Sequence, residues 1–207
     1  MGRLYSGALR DGRRLEAVYP DGTRVAVPVD DWRGPLLPGD GSLLDRCTGA
    51  TLDVGCGPGR VTTALRSRGV AAVGIDVNTD AVRLAREAGA CAYRCSVFGP
   101  VPRAGEWDTV LLVDGNIGIG GLPVVLLRRV AGLLAAAGQV LVEVEGPTAN
   151  SRRTRLRLAS GRRVSRPFPW AHLALRDVDG AAALAGLRLD ETWQSADRWF
   201  VALQRAP

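Results

Sequence analysis

Leu52-Asp53-Val54-Gly55-Cys56-Gly57-Pro58-Gly59-Arg60, followed by Val73-Gly74-Ile75-Asp76, is the stretch that decides the fold. A short apolar run enters three closely spaced glycines and passes into a helical segment. That pattern describes a strand whose end turns sharply enough for backbone to approach a ligand. The second run stops at an acid as well, 23 residues after Asp53.

The glycine spacing narrows the ligand. A dinucleotide fingerprint reads G-x-G-x-x-G, whereas Gly55, Gly57 and Gly59 read G-x-G-x-G behind Asp53. The D-V-G-C-G-P-G-R string, with Asp76 closing the next strand, resembles the nucleoside-binding loop of class I S-adenosylmethionine-dependent methyltransferases. The resemblance implies S-adenosylmethionine as cofactor. It sets Asp53, Gly55, Cys56, Gly57 and Gly59 against the amino acid portion, and Asp76, with Val77 beside it, at the ribose hydroxyls. It puts Ser96 and Val97 at the adenine, where relatives commonly carry an acid, and Asp114 on the floor beside the transferable methyl. Such resemblance spans about residues 45–207 and is strongest at 50–78.

Outward from the loop, apolar runs at 50–54, 71–75, 91–95, 107–113 and 139–145 read as strands. Helical stretches near 59–68, 79–88 and 121–136 separate them, the last marked by Leu122, Leu126, Val130, Leu133 and Leu134 at helical spacing. This alternation implies an α/β, doubly wound, mostly parallel sheet with ligands at the carboxyl ends of its strands. Near the end, 187–193 and 199–204 are joined too closely for a crossover helix, so they pair as an antiparallel C-terminal hairpin. Seven strands result. Before the loop, Pro20-Asp21-Gly22 separates two short alternating runs, a small N-terminal β-hairpin. The division expected is 1–39 as hairpin and linker and 40–207 as the methyltransferase domain, with a substrate-cover insertion at about 147–172.

A chain of 207 residues buries roughly 70% of its unfolded surface and supports its own core. No apolar run reaches the roughly 18 residues of a membrane span, and nothing near Met1 resembles a secretory signal, so a cytoplasmic location and no membrane partner are expected. All 27 basic residues are arginine, a bias that follows from a G+C-rich genome and says little about nucleic acid. Their placement says more. Seven arginines fall within 152–166, which contains no acid and outweighs the chain's net charge of +6. The four cysteines form no C-x-x-C pair and there is one histidine, so no metal site is expected. Cys91 and Cys95 read as small core residues.

Methyl transfer is an in-line displacement that asks mainly for alignment and exclusion of water. Asp114 and Asn116 follow the fourth strand and read equally as groups that orient a substrate or accept a proton, or as an Asx-type turn. The segment lacks the N-P-P-Y or D-P-P-Y signature of related amino-group methyltransferases. Glu143 and Glu145 share one face of the fifth strand, and Glu145 lies nearer its carboxyl edge. His172, opening a helix, is the remaining candidate base. Thr154, Leu156 and Leu158 alternate with Arg153, Arg155 and Arg157, an arginine-faced hairpin that either clamps an anionic substrate or forms a solvated edge. The leading expectation is methyl transfer to a small molecule, an anionic one if those arginines face the site. Nucleic-acid methylation is discounted for want of an RNA-binding module, and a non-catalytic S-adenosylmethionine-binding protein of the same fold is the other alternative.

Overall fold

Turn chemistry sets the first elements. The computed structural model describes residues 2–206 and opens on a helix, α1 (Gly2–Asp11), that the sequence reading did not anticipate. It is followed by β1 (Glu16–Val18) and β2 (Arg24–Ala26), which pair antiparallel across Pro20-Asp21-Gly22. Gly22 has φ +88°, and the Thr23 amide closes the turn on Asp21 Oδ1 at 2.9 Å. Two short helices, α2 (Val29–Arg33) and α3 (Asp40–Leu44), lead to the main sheet.

From there strands and helices alternate: β3 (Thr51–Val54), α4 (Arg60–Ser67), β4 (Ala72–Asp76), α5 (Thr79–Glu87), β5 (Ala92–Arg94), β6 (Trp107–Leu112), α6 (Pro123–Ala131) and β7 (Leu134–Val144). After an excursion through β8 (Arg152–Ser160), β9 (Arg163–Val164) and β10 (Phe168–His172), α7 (Val178–Leu184) leads to β11 (Leu187–Ser195) and β12 (Arg198–Arg205). The seven-stranded sheet runs β11-β12-β7-β6-β3-β4-β5. β3 to β7 are parallel, and β12 joins β7 antiparallel. Leu126, Leu127 and Val130 of α6 pack with Val178 and Ala182 of α7 in one buried cluster, and Leu43, Val61 and Leu65 of α3 and α4 in another. Burial on both faces explains why these strands read as continuous apolar runs.

Three expectations change. The helix expected over 121–136 stops at Ala131, capped by Gly132, because Leu134 pairs with Trp107 and already belongs to β7. Leu133 and Leu134 were read as helical spacing, but they carry the chain from helix into sheet. The arginine run is no isolated hairpin: β8 is paired on one edge with β10 and on the other with β1, within a second, five-stranded sheet ordered β10-β8-β1-β2 with β9 on β8. Cys91 and Cys95 flank the three-residue β5 and are partly exposed, and all four cysteines are free. Among the described residues no helix is long and apolar enough to cross a membrane, and no cluster of side chains could hold a metal ion.

Candidate functional site

β3 carries Asp53 into the sheet and ends in the glycine turn at the point where the strand order reverses, with β4 on one side and β6 on the other. A crevice at that position is where open α/β sheets bind ligands. Gly55, Gly57 and Gly59 have φ of +75°, +54° and +93°, a region L side chains rarely enter, yet each serves a different end. A Cβ on Gly55 would lie 2.7 Å from the Asn116 amide, and one on Gly59 would lie 2.8 Å from the Ala85 Cβ. One on Gly57 would meet the Tyr5 hydroxyl alone, at 3.3 Å. Gly59 therefore lets α4 approach α5, while Gly57 faces the tip of the Tyr5 side chain.

Asp76 ends β4 beneath this turn. Its Oδ2 accepts from the Gly57 amide at 3.1 Å and its Oδ1 from the Asn78 amide at 2.7 Å. Asn78 caps α5, accepting from the amides of Asp80 and Ala81 at 2.9 and 3.0 Å, and its side-chain amide donates to Ser6 at 3.1 Å. Helix α1 is thereby tied to the cofactor loop. Burial raises the Asp76 carboxyl above the ordinary range.

Asp53 is buried in β3. Thr62 donates to its Oδ2 at 2.7 Å, and among the described residues its Oδ1 has no partner. Burial first, then the neighbouring Asp114 and Asp76 charges, push its carboxyl up to about 7. An unfolded aspartate titrates near 3.9, so between about pH 4 and pH 7 the folded chain keeps a proton the unfolded chain has lost, and stability falls as pH rises. We expect Asp53→Asn to flatten this part of the stability curve of the ligand-free protein. Urea midpoints for both proteins that stay parallel across the window would exclude it.

Asp114 and Asn116 follow β6 and serve the loop from below. Asn116 donates to the carbonyls of Val54 and Gly55 at 2.9 and 3.1 Å, pinning the turn. Asp114, at φ +54°, accepts from Arg60 at 2.6 Å and Arg198 at 3.4 Å, while its amide donates to Glu143 at 2.7 Å. Arg198 also holds Glu143 at 2.8 Å and Asp40 at 2.6 Å. Arg60 pairs with Asp40, which is fully buried. Burial outweighs the two arginines and raises the Asp114 carboxyl.

A cavity of about 830 Å³ opens over the loop. Asp53, Gly55, Gly57, Asp76, Asp114 and Asn116 form its floor, and Val77, Ser96 and Val97 one end. Its roof is the inner face of the second sheet: Tyr19, Leu156, Leu158, Phe168 and Trp170. Arg153, Arg155 and Arg157, alternating with Leu156 and Leu158, are exposed on the other face. Gly118 brings this roof down onto the floor, since a Cβ there would lie 2.4 Å from the Ala171 carbonyl.

Glu145 and His172 meet beyond the end of the roof, His172 following Phe168 and Trp170 along one face of β10. His172 ends β10 instead of opening a helix, because β10 pairs along its length with β8. Its Nδ1 is 2.8 Å from Glu145 Oε1 and its Nε2 3.1 Å from the Tyr19 hydroxyl. Of the residues singled out from sequence, Asp53, Gly55, Cys56, Gly57, Asp76, Val77, Ser96, Val97, Asp114 and Asn116 line one cavity. Gly59 packs behind it, and Glu145 and His172 reach it through Tyr19. The sequence reading missed Tyr5, Tyr19 and the Asp40, Arg60 and Arg198 cluster. For Tyr19 a signal existed: Leu15, Ala17 and Tyr19 alternate, and all three line the cavity.

The family model described as methyltransferase domain matches residues 51–138. No curated protein matches the sequence. Among solved structures, an S-adenosylmethionine-dependent methyltransferase of Bacteroides fragilis, in complex with S-adenosyl-L-homocysteine, is 21% identical with TM-score 0.83, over 100% of this chain and 94% of that one. The 1,6-didemethyltoxoflavin-N1-methyltransferase of Burkholderia thailandensis is 16% identical with TM-score 0.59, over 81% and 77% of the two chains. A sugar N-methyltransferase of a Streptoalloteichus species is 17% identical with TM-score 0.58, over 80% and 83%. Those likenesses fix the fold, and the family match falls on the glycine loop and the strands around it. Residues 51–138 match a methyltransferase domain, and the fold of the whole chain is the one these S-adenosylmethionine-dependent methyltransferases share.

Proposed function

We propose that the protein transfers a methyl group from S-adenosylmethionine to a small, largely apolar, aromatic acceptor held between the glycine loop and the second sheet. The cavity carries this reading: polar and glycine-rich below, aromatic and aliphatic above, within the volume range of small-molecule sites. When bound, the cofactor supplies a methyl group on a positively charged sulfur. The chain's residues suit such a group. The unpartnered Asp53 Oδ1 is a buried acceptor suited to an ammonium, Gly57 lines the cavity with no side chain between its backbone and a ligand, and the Asp76 carboxylate faces the same space. Asp114 and Asn116 belong to this reading as groups that hold the loop and orient the acceptor.

Acceptor charge follows from the side chains on the cavity. Asp53, Asp76, Asp80 and Asp114 stand there against Arg3 and Arg60, and Arg60 is already paired. The arginines that suggested an anionic substrate face outward, so a neutral acceptor is favoured over an anionic one. Residues acting on the acceptor do so chiefly by alignment and exclusion of water beneath the aromatic roof. A cytoplasmic location completes the proposal.

Thermal shift with S-adenosyl-L-homocysteine present tests it. Binding of the homocysteine product should stabilise the protein by about 2.7 kcal/mol at a hundredfold excess over its dissociation constant. Neutral aromatic compounds should then add to that shift more than their carboxylated analogues do. No shift with the product alone would sink the cofactor assignment, and stabilisation by carboxylated compounds alone would return the acceptor to the anionic class.

A further inference from the structure

Glu145, His172 and Tyr19 come from three separated parts of the chain, His172 standing 153 positions after Tyr19 along the sequence. Their side chains form a line that begins outside the cavity lining and ends at Tyr19, which belongs to it. Hydrogen-bond chemistry fixes the direction of that line. His172 and its neighbour Arg152 hold the Glu145 carboxyl below its ordinary range, the His172 hydrogen bond contributing most. An ionised carboxylate only accepts, so His172 Nδ1 carries the proton in the 2.8 Å contact. The Nε2 of a neutral ring is then bare and accepts, which leaves the Tyr19 hydroxyl as donor at 3.1 Å. Arg152 stands over the Tyr19 ring, its guanidinium carbon 5.6 Å from the centroid, and is the remaining charge packed against the group. The Tyr19 oxygen keeps a lone pair, and Tyr19 itself lines the cavity.

We propose that Tyr19 is a catalytic residue, that His172 and Glu145 position it and take up its proton, and that the acceptor atom is a hydroxyl oxygen. The proposal rests on the methyltransferase reading above. A neutral amine can attack an electrophilic methyl before losing its proton, whereas a hydroxyl is a poor nucleophile unless its proton leaves as the bond forms. The acceptor oxygen bonds to the methyl carbon as the carbon–sulfur bond breaks, its electron pair returning to sulfur. The acceptor proton passes to Tyr19 Oη, and the proton Tyr19 held passes to His172 Nε2. The products are a methyl ether, neutral sulfur, neutral Tyr19 and an imidazolium beside the Glu145 carboxylate.

His172 is the sole histidine of the sequence, so nitrogen NMR of its ring reads the relay without any methyl transfer. At neutral pH the Nδ1-protonated tautomer should dominate in the ligand-free protein. Tyr19→Phe should leave that tautomer in place and shift the Nε2 resonance, while Glu145→Gln should lose the tautomer preference. An Nε2-protonated ring in the wild type would overturn the proposal, since the line would then run the wrong way. With S-adenosyl-L-homocysteine bound, para-cresol should perturb the Nε2 resonance at lower concentration than para-toluidine. An equal response, a response to the toluidine alone, or none from either would overturn the hydroxyl assignment. Calorimetry with the homocysteine product, run on the same samples, separates that outcome from failure of the methyltransferase reading itself.

Discussion

Arg60→Met should destabilise the protein by about 3 kcal/mol, the lower end of the cost of removing one member of a buried ion pair. Asp40 is fully buried and held by Arg60 and Arg198, and Asp114 is held by the same two arginines. Taking away Arg60 leaves three carboxylates, those of Asp40, Asp114 and Glu143, on the one guanidinium of Arg198, with Asp40 fully buried. Arg60→Lys keeps the charge but not the planar fork that reaches both acids, and should lose less. Urea unfolding reads both, and a loss under about 1 kcal/mol for Arg60→Met, the scale of an exposed pair, would mean that the cluster is effectively solvated. Because the cluster fixes Asp114 under the cavity, the methionine variant should also bind S-adenosyl-L-homocysteine more weakly at temperatures where it remains folded.

Cofactor affinity should fall roughly 10- to 150-fold in Asp76→Ala, the equivalent of about 1.5 to 3 kcal/mol for hydrogen bonds to a charged acceptor. The alanine also frees the amides of Gly57 and Asn78, so unfolding must be followed in parallel to separate loop collapse from lost contacts. Gly57→Val provides the steric counterpart. Its backbone sits at φ +54° and its side chain would project toward Tyr5, so binding should vanish while unfolding stays cooperative. Calorimetry showing wild-type affinity in either variant would remove the glycine loop from the site.

The sheet and its ligand edge were legible because they rest on local signals: a glycine turn, an acid ending each of two strands, and apolar runs of strand length. The floor of the cavity followed from the same signals. Helix α1 was not legible, since its periodicity is short and its reason for folding is tertiary, the Asn78 side-chain amide at the start of α5 donating to Ser6 and Ala8 and Leu9 being buried among residues distant in sequence. The arginine run misled for a related reason. Alternation shows that β8 has two faces, but which of them meets the cavity depends on β1 and β10, the strands that flank it. Asp40, Arg60 and Arg198 look like ordinary surface charges one at a time and become a buried cluster only when three separated segments meet.

The roof sheet joins a hairpin near the start of the chain to strands beyond residue 150, and that has a kinetic consequence. Closing the flexible loop between Tyr19 and His172, a separation of 153 positions, costs about 4 kcal/mol in chain entropy, which three-residue β1 cannot offset alone. Pairing becomes affordable once the seven-stranded sheet has brought the two anchor points together, so the roof is the last part to assemble and the first to detach. Its amides should exchange with solvent through a partial opening that leaves β3, β6 and β7 protected. If the proposed reaction holds, that same opening is the route by which an acceptor would enter beneath the aromatic roof and its methylated product would leave.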